Sequence, residues 1–498
     1  MNDRGESGRG LGLAGGLTRA FIASPLTPLL ILAALAVGLI ALVSLPREEE
    51  PQISVPLVDI HIGASGLTAE DAVQLVSEPM ENIVQAIDDV EHVYSQTRDD
   101  GAMVTARFEA GTSADAAILR VHEKVRANLD RIPVGIPEPL IVGRGINDVA
   151  IVTLTLSGKP GHEVSSYDLT RIARALRGEL TKIEDVGLTY LTGEAQEAIR
   201  IAPDPERLAM HGVTLQQLAG KVQSANRAFR TGQVRDGGAQ IDLIAGETLT
   251  GPAEIASLLL TTRDGRPVYV GDVADIAFVP DMSEHYVANV TRDAAGDLHR
   301  APAVTLALAK RAGANAVVVA EEILHRVHML EGELIPESVA LSVTRDYGET
   351  ANEKANELLF HLALATVSII ALVWLSIGWR ESIVVAVVIP MTILLTLFAA
   401  WIMGYTLNRV SLFALIFSIG ILVDDAIVVI ENIARHWQLD RGKSRIQAAI
   451  DAVAEVGNPT IVATLTVVAA LLPMLFVSGL MGPYMSPIPA NASAAMIF

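Results

Sequence analysis

Twenty-one consecutive residues, Pro25 to Leu45, carry no charge. At a helical rise of ~1.5 Å per residue such a run reaches ~30 Å, the thickness of a bilayer's hydrocarbon core. A cleaved leader has a shorter apolar stretch that ends at a small-residue cleavage site. This run continues into Pro46-Arg47-Glu48-Glu49-Glu50 and reads as a membrane span. Four further apolar stretches follow residue 356: Leu358 to Ile377, Ser382 to Met403 with Pro390 as a kink, Leu407 to Ile430, and Pro459 to Val477 with Pro473 inside it. Proline is tolerated at such depth where neighbouring helices cover the carbonyl it frees. A sixth stretch opens near Met485 and offers 14 residues up to Phe498, which is too few to cross and reads as a partial span.

The charges sit between these apolar blocks. Residues 47–356 hold 28 Lys and Arg against 47 Asp and Glu, so nearly all of the chain's net charge of −20 lies there. The chain is 51% hydrophobic and 19% charged, where a soluble domain has roughly 25% charged residues. One long water-exposed block is therefore inserted between membrane blocks. The acidic balance, without a basic stripe, excludes a nucleic-acid binder. With no cysteine, thiolate metal centres, disulfides and thiol nucleophiles are excluded as well. No Walker sequence, nucleophile elbow or glycine-rich phosphate loop occurs, so energy for any work comes from an ion gradient or a partner.

Short-loop charge gives the orientation. Arg4, Arg9 and Arg19 precede the first span, Arg380 lies between the second and third, and Arg435, Arg441, Lys443 and Arg445 lie between the fourth and fifth. The loop Gly404 to Asn408 has no charge before Arg409. The positive-inside rule places the N-terminus in the cytoplasm and the 47–356 block outside.

That block alternates strand and helix periods. Val55 to Gly63 reads as a strand, Thr68 to Ala86 as a helix with Thr68 as N-cap and Asp71 at N3, and Glu91 to Arg98 with Ala102 to Glu109 as a hairpin turning at Asp100-Gly101. Thr112 to Leu129 is a second helix. The pattern restarts with strand Val149 to Ser157, helix Ser165 to Thr181 and strand Asp185 to Leu191. It returns with strand Ala301 to Ala309, helix Asn315 to Leu330 and strand Val339 to Arg345. These are split βαβ units of the ferredoxin-like kind, so the expected fold class is an α+β membrane protein. Between them, residues 193–285 break the pattern, with turn signals at Asp236-Gly237-Gly238 and Asp264-Gly265 and a hairpin from Gly232 to Thr250.

The chemistry is concentrated in the fourth span, Gly420-Ile-Leu-Val-Asp424-Asp425-Ala-Ile-Val-Val-Ile-Glu431-Asn432. Asp424 is 15 residues from Arg409 and 11 from Arg435, or ~22 and ~16 Å along a helix, beyond the reach of an aspartate side chain. A charge at such depth costs at least ~2.5–3.5 kcal/mol on insertion scales. Two adjacent carboxylates also repel, and a proton on one of them relieves the repulsion. That is the profile of a proton-carrying pair. The competing reading is a pair kept ionised by a basic partner and used for helix packing.

Here the chain resembles a family. GILVDDAIVVIEN is similar to the fourth-helix signature of the resistance-nodulation-division (RND) efflux pumps. Leu45-Pro46 through Gln52-Ile53-Ser54-Val55-Pro56, Gly63 to Glu70, Pro79 to Val84 and Val343-Thr-Arg-Asp346-Tyr347 match that family in order, and the likeness covers about residues 17–498. It implies the N-terminal half of a multidrug exporter. Its parts would be a cytoplasmic segment (1–24), span one (25–45), a first porter subdomain (46–139), a second porter subdomain in two parts (140–192 and 286–356), a docking subdomain (193–285), and spans two to five with the start of span six (357–498). The resemblance implies a proton antiporter of the bacterial inner membrane, not an enzyme, with no cofactor beyond the proton gradient. Asp424 and Asp425 would be the relay. A homotrimer, a periplasmic adaptor, an outer-membrane channel and small hydrophobic or amphiphilic substrates would be its partners. The double aspartate fits the hydrophobe/amphiphile branch, whereas the metal-exporting branch usually has Asp followed by Ala.

Two other readings stand beside it: a heavy-metal exporter, and a half-length scaffold or one subunit of a split pump. Five methionines of the outer block, Met80, Met103, Met210, Met282 and Met329, are far apart, unlike the clustered soft ligands a copper-type site needs. Glu321, Glu322, His325 and His328 share a helical face that could hold zinc or nickel, but a mixed face of this kind reads first as solvated. Glu48-Glu49-Glu50 reads as a solvated junction at the membrane exit. His361 reads as interfacial. Thr460 and Thr464 share one face of the fifth span, where they could bond towards the aspartates. Tyr167, Tyr190 and Phe229 are the aromatics in the region where substrate would bind, and the substrate residues themselves are not legible.

Overall fold

The computed structural model describes residues 11–498 apart from 52, 54, 134, 237–238, 247, 264, 282–285, 293–295, 440–441 and 443. Arg4, Arg9, Arg441, Lys443, Gln52, Ser54, Met282, the Gly237-Gly238 turn and Asp264 therefore lie outside the described residues.

Helix α1 (Gly12–Phe21) precedes α2 (Leu26–Ser44), the uncharged span. The sequence reading contained no helix before the first span. The outer block then opens with β1 (Leu57–Gly63) and a helical stretch, α3 (Ala69–Ala72) and α4 (Glu78–Gln85), joined by a π-helical turn at Val73–Ser77. The Thr68 hydroxyl accepts from the Asp71 N–H, as the capping pattern requires. Next come β2 (Val90–Arg98), β3 (Gly101–Phe108), α5 (Ala114–Arg126) and β4 (Leu140–Arg144). The four strands form one antiparallel sheet in the order β2-β3-β1-β4. Along β3 burial alternates residue by residue, so Ala102, Val104, Ala106 and Phe108 face a core closed by Val76, Met80, Val84, Ala117 and Val121.

The hairpin turn differs from the expected one by a residue. Arg98 pairs with Gly101, so the loop is Asp99-Asp100 and Gly101 already belongs to β3. Asp100 takes the left-handed conformation (φ 64°). Its carboxylate accepts from Gly66 N–H at 2.7 Å, and that of Asp99 accepts from Ala69 N–H at 2.8 Å. These bonds to the segment after β1 hold the turn, with Asp100, a residue type that tolerates the left-handed region, in the positive-φ position instead of glycine.

A second sheet repeats the plan. Strand β5 (Ala150–Gly158), α6 (Ser166–Leu180) and β6 (Val186–Thr192) come first. A long excursion follows: β7 (Gln196–Pro203), α7 (Pro205–His211), α8 (Leu215–Ala225), the hairpin β8 (Phe229–Asp236) and β9 (Ala239–Ala245), α9 (Pro252–Ala256), β10 (Leu259–Arg263), β11 (Arg266–Tyr269), α10 (Val270–Val273) and β12 (Ala274–Asp281). The hairpin thus spans Phe229–Ala245 rather than Gly232 to Thr250. The chain returns through β13 (Ala288–Arg292), the long β14 (Leu298–Lys310), α11 (Ala316–Leu330) and β15 (Val339–Asp346). The order β6-β14-β5-β15 is that of the first sheet, with β13 paired to the first part of β14. The excursion has its own core of Val213, Leu218, Ile255, Val268, Val270 and Val273.

Helices α12 (Tyr347–Ser376), α13 (Trp379–Ile402), α14 (Arg409–Leu439) and α15 (Arg445–Leu471) follow, then α16 (Met481–Met485) and α17 (Pro487–Ile497). Five helices among the described residues are long and apolar enough to cross a membrane: α2, α12, α13, α14, and α15 with the turn after it, Arg445–Phe476. Pro390 lies inside α13 without ending it. The fifth span, Arg445–Phe476, includes Pro473, which lies in a 3-10 turn, Leu472–Phe476, that continues from the end of α15. Helices α2 and α13 meet at Gly38, where an added Cβ would fall 2.3 Å from Leu394 Cβ, the kind of close approach that small residues permit between apolar helices.

Candidate functional site

Helix α14 is fixed at both ends before its centre is considered. At its start, the Asn408 carboxamide oxygen accepts from the N–H groups of Val410 and Ser411 at 3.0 and 2.9 Å, an N-cap. Gly404 (φ +79°) closes α13 immediately before, with Tyr405 N–H donating to the Ala400 carbonyl. The short loop between them is laced to the segment leaving α2: Leu407 N–H donates to the Pro46 carbonyl at 2.9 Å, and Glu48 N–H to the Leu407 carbonyl at 3.1 Å.

Glu48 is not solvated as its sequence neighbourhood suggested. Its side chain is 6% exposed, and one carboxylate oxygen lies 2.9 Å from Lys310 Nζ, itself 5% exposed at the end of β14. The other accepts from the Thr406 hydroxyl at 3.1 Å. A buried carboxylate needs such a partner, because desolvation of a lone charge is prohibitive. Glu50 remains half-exposed and pairs with Arg409. Glu48 thereby joins the outer sheet, the exit of α2 and the loop that starts α14.

At the other end, Asn432 donates to the Ala452 carbonyl of α15 at 2.8 Å and accepts from Arg435 Nε at 3.0 Å. His436 Nε2 lies 2.8 Å from the Glu455 carboxylate. Between these two anchored ends lies the aspartate pair. Asp425 is half-buried, and its Oδ2 accepts from the Thr464 hydroxyl of α15 at 2.8 Å. It borders a cleft of about 630 Å³ formed by α13, α14, α15 and α17, whose lining includes Val388, Thr392, Thr460, Thr464 and Met496. Asp424 is exposed on the adjoining face and has no hydrogen-bond or ion-pair partner among the described residues.

The other candidates fall elsewhere. Glu321, Glu322, His325 and His328 are exposed on α11, and among the described residues no group of three or more His, Cys, Asp or Glu is placed to hold a metal ion. His361 is exposed on α12. Tyr167 donates to Glu197 at 3.2 Å. Tyr190 borders a cleft of about 490 Å³ between the two sheets, with Leu57, Arg144, Thr153 and Arg345. Phe229 is exposed on β8, so the three aromatics do not converge.

With this geometry in hand, residues 17–498 match the AcrB/AcrD/AcrF family. The chain belongs to that family. Among curated proteins it is similar to the "Multidrug resistance protein MdtC" of Pantoea ananatis, 28% identical over 481 residues, covering 96% of this chain and 46% of that protein. The MdtC of Salmonella newport gives 28% over 479 residues, 96% and 45%. The chain spans about half the length of these relatives, and the RND resemblance drawn from the aspartate helix agrees with the family match.

Proposed function

We propose that this chain forms part of a proton-driven exporter of hydrophobic or amphiphilic compounds in a bacterial inner membrane, with Asp424 and Asp425 as the proton-carrying pair. The observation that carries the reading is a carboxylate pair in the middle of an apolar helix, Asp425 bonded across to a second helix and Asp424 without a basic partner among the described residues. A proton taken up from outside neutralises one carboxylate, changes how α14 packs on α15, and is released towards the cytoplasm. The multidrug names of the relatives support the substrate class.

The outer block reads as porter subdomains: 46–139 as one ferredoxin-like unit, 140–192 with 286–356 as a second, and 193–285 as a docking subdomain. The shared strand order of the two sheets supports the pairing. Side-by-side placement of the α2 exit and the 404–408 loop supports alternating spans, with the N-terminus in the cytoplasm and the block outside. In this reading the assembly is a trimer working with a periplasmic adaptor and an outer-membrane channel, and no cofactor takes part.

Asp424→Asn and Asp425→Asn in the full-length gene product test it. The carboxamide keeps the shape but cannot carry a proton, so export should fall to background at unchanged membrane abundance. Glu431→Gln should keep most export, because Glu431 is six residues beyond Asp425, ~9 Å nearer the cytoplasmic face. Near-normal export by both asparagine variants would overturn the relay.

A further inference from the structure

Thr464 stands between two acceptors. Its Oγ1 is 2.8 Å from Asp425 Oδ2 on α14 and 3.0 Å from the Thr460 carbonyl one turn back on its own helix. A threonine hydroxyl has one hydrogen and two lone pairs, so it donates to one of these oxygens at a time. The charge on Asp425 decides which. A carboxylate only accepts, and a bond to it is charge-assisted and stronger than one to a neutral carbonyl. The hydrogen then points across to α14. A protonated carboxyl carries its own O–H. Thr464 Oγ1 can accept from it and return its hydrogen to the Thr460 carbonyl.

We infer that Thr464 is a positioning residue for proton carriage, a hydroxyl that keeps Asp425 bonded to α15 in both protonation states by exchanging donor and acceptor roles. The inference rests on the relay reading above and adds a residue to it. The proton enters and leaves on the carboxyl. Thr464 gains and loses none, and only the direction of its hydrogen changes.

The surroundings single out this hydroxyl. The Thr392 and Thr460 hydroxyls also line the cleft, but each donates within its own helix, to Val388 at 3.0 Å and to Val456 at 2.9 Å. That back-bonding is the ordinary behaviour of threonine in a helix, and Thr464 alone of these three bonds across helices. Among the described residues Asp425 is the one ionisable side chain that lines the cleft. Asp424 has no such tether, which makes the two aspartates unequal.

The test compares Thr464→Val, which keeps the shape without the hydroxyl, with Thr464→Ser, which keeps the hydroxyl, both in the full-length gene product in its native membrane. Export per unit of membrane-inserted protein should drop about tenfold in the valine variant, the scale of one lost bond to a charged group, and serine should restore it to within twofold. In infrared difference spectra, the carboxyl band that disappears in Asp425→Asn should move to higher wavenumber in Thr464→Val and stay near its parent position in Thr464→Ser. Should the valine variant fail to accumulate, Thr464→Ala gives the same comparison with less bulk. Export within twofold of the parent in the hydroxyl-free variant, with an unmoved carboxyl band, would overturn the inference. If that occurs while Asp425→Asn abolishes export, the relay stands and only the Thr464 role falls. If Asp425→Asn exports normally, the relay itself falls.

Discussion

Two pairs of ionisable side chains sit at two depths of one connected path, and they solve opposite problems. Glu48 and Lys310 have opposite charges and are both almost fully buried at the junction of the outer sheet and the helix bundle. Asp424 and Asp425 have like charges, and neither is fully buried. The first pair is stable only while both members stay charged and in contact. The second is least comfortable when both are charged. One suits a fixed joint and the other a group whose charge changes. They are linked through α14: the loop that Glu48 holds begins that helix, and Asp424 lies 15 residues after Arg409, ~22 Å away.

The largest effect expected from breaking this contrast is at the joint. Lys310→Met leaves the Glu48 carboxylate buried with the Thr406 hydroxyl as its remaining side-chain partner. Removing one member of a buried ion pair costs about 3–5 kcal/mol, so the purified protein should melt well below the parent and accumulate poorly. Adding Glu48→Leu removes the stranded charge and should recover most of the loss, since a packed apolar pair often replaces a buried ion pair at little cost. The asparagine variants of the aspartate pair should melt close to the parent. A Lys310→Met protein that melts with the parent would erase the distinction between joint and carrier.

The two pairs also differed in how far sequence could reach them. Asp424 and Asp425 are visible because an uninterrupted apolar run surrounds them on the chain itself. Glu48 sits in a run of three glutamates after a proline, which is how a solvated junction looks. Its partner lies 262 residues further on, and nothing local signals that β14 ends against it. The spans were legible because length without charge is a property of the chain alone. Strand and helix positions in the outer block were legible from period, and the first helix also from its cap, Thr68; Ser165 and Asn315, read only as helix starts, are caps in the structure as well. The expected hairpin turn falls one residue late because Asp-Gly is the stronger local signal, whereas the turn is Asp99-Asp100, whose carboxylates bond to residues 69 and 66, 30 and 34 positions away. For Thr464 the sequence gives a shared face with Thr460, but which hydroxyl meets Asp425 depends on how α15 packs.

A smaller effect sharpens the comparison at the inner end of α14. Asn432 is 7% exposed and donates to the Ala452 carbonyl. Asn432→Leu keeps the bulk but removes this bond between α14 and α15, leaving the Ala452 carbonyl to the donor in its own helix, a cost of about 0.5–1.5 kcal/mol. The melting temperature should fall, by less than for Lys310→Met. Export per inserted protein should fall far less than in the aspartate variants, because no titrating group is lost. Export abolished at normal abundance would mean that carriage extends beyond the aspartates to this contact.

The smallest effect belongs to an opposite-charge pair that is not buried. Asp204 caps α7, accepting from Glu206 and Arg207 N–H groups at 2.8 and 3.1 Å, and its other oxygen is 2.9 Å from Arg207 Nε. The Arg207 guanidinium, with those backbone bonds, holds the Asp204 carboxyl below the usual carboxylate range. A group whose value is lowered on folding contributes stability that is complete above its unfolded value, about 3.9 for Asp. That contribution fades as pH falls through the lower folded value. Asp204→Asn keeps an oxygen to cap the helix but removes the charge. The melting difference between parent and variant should therefore be small at pH 6, shrink in high salt because both side chains reach water, begin to fade below about 4, and be lost only as pH falls through the lower folded value. Both proteins share every other titrating carboxylate, so subtracting one curve from the other isolates this pair. A difference that stays constant as pH is lowered from 6 until Asp204 is protonated in the folded protein would show that the Asp204–Arg207 charge pair adds nothing and that Asp204 acts through its cap alone.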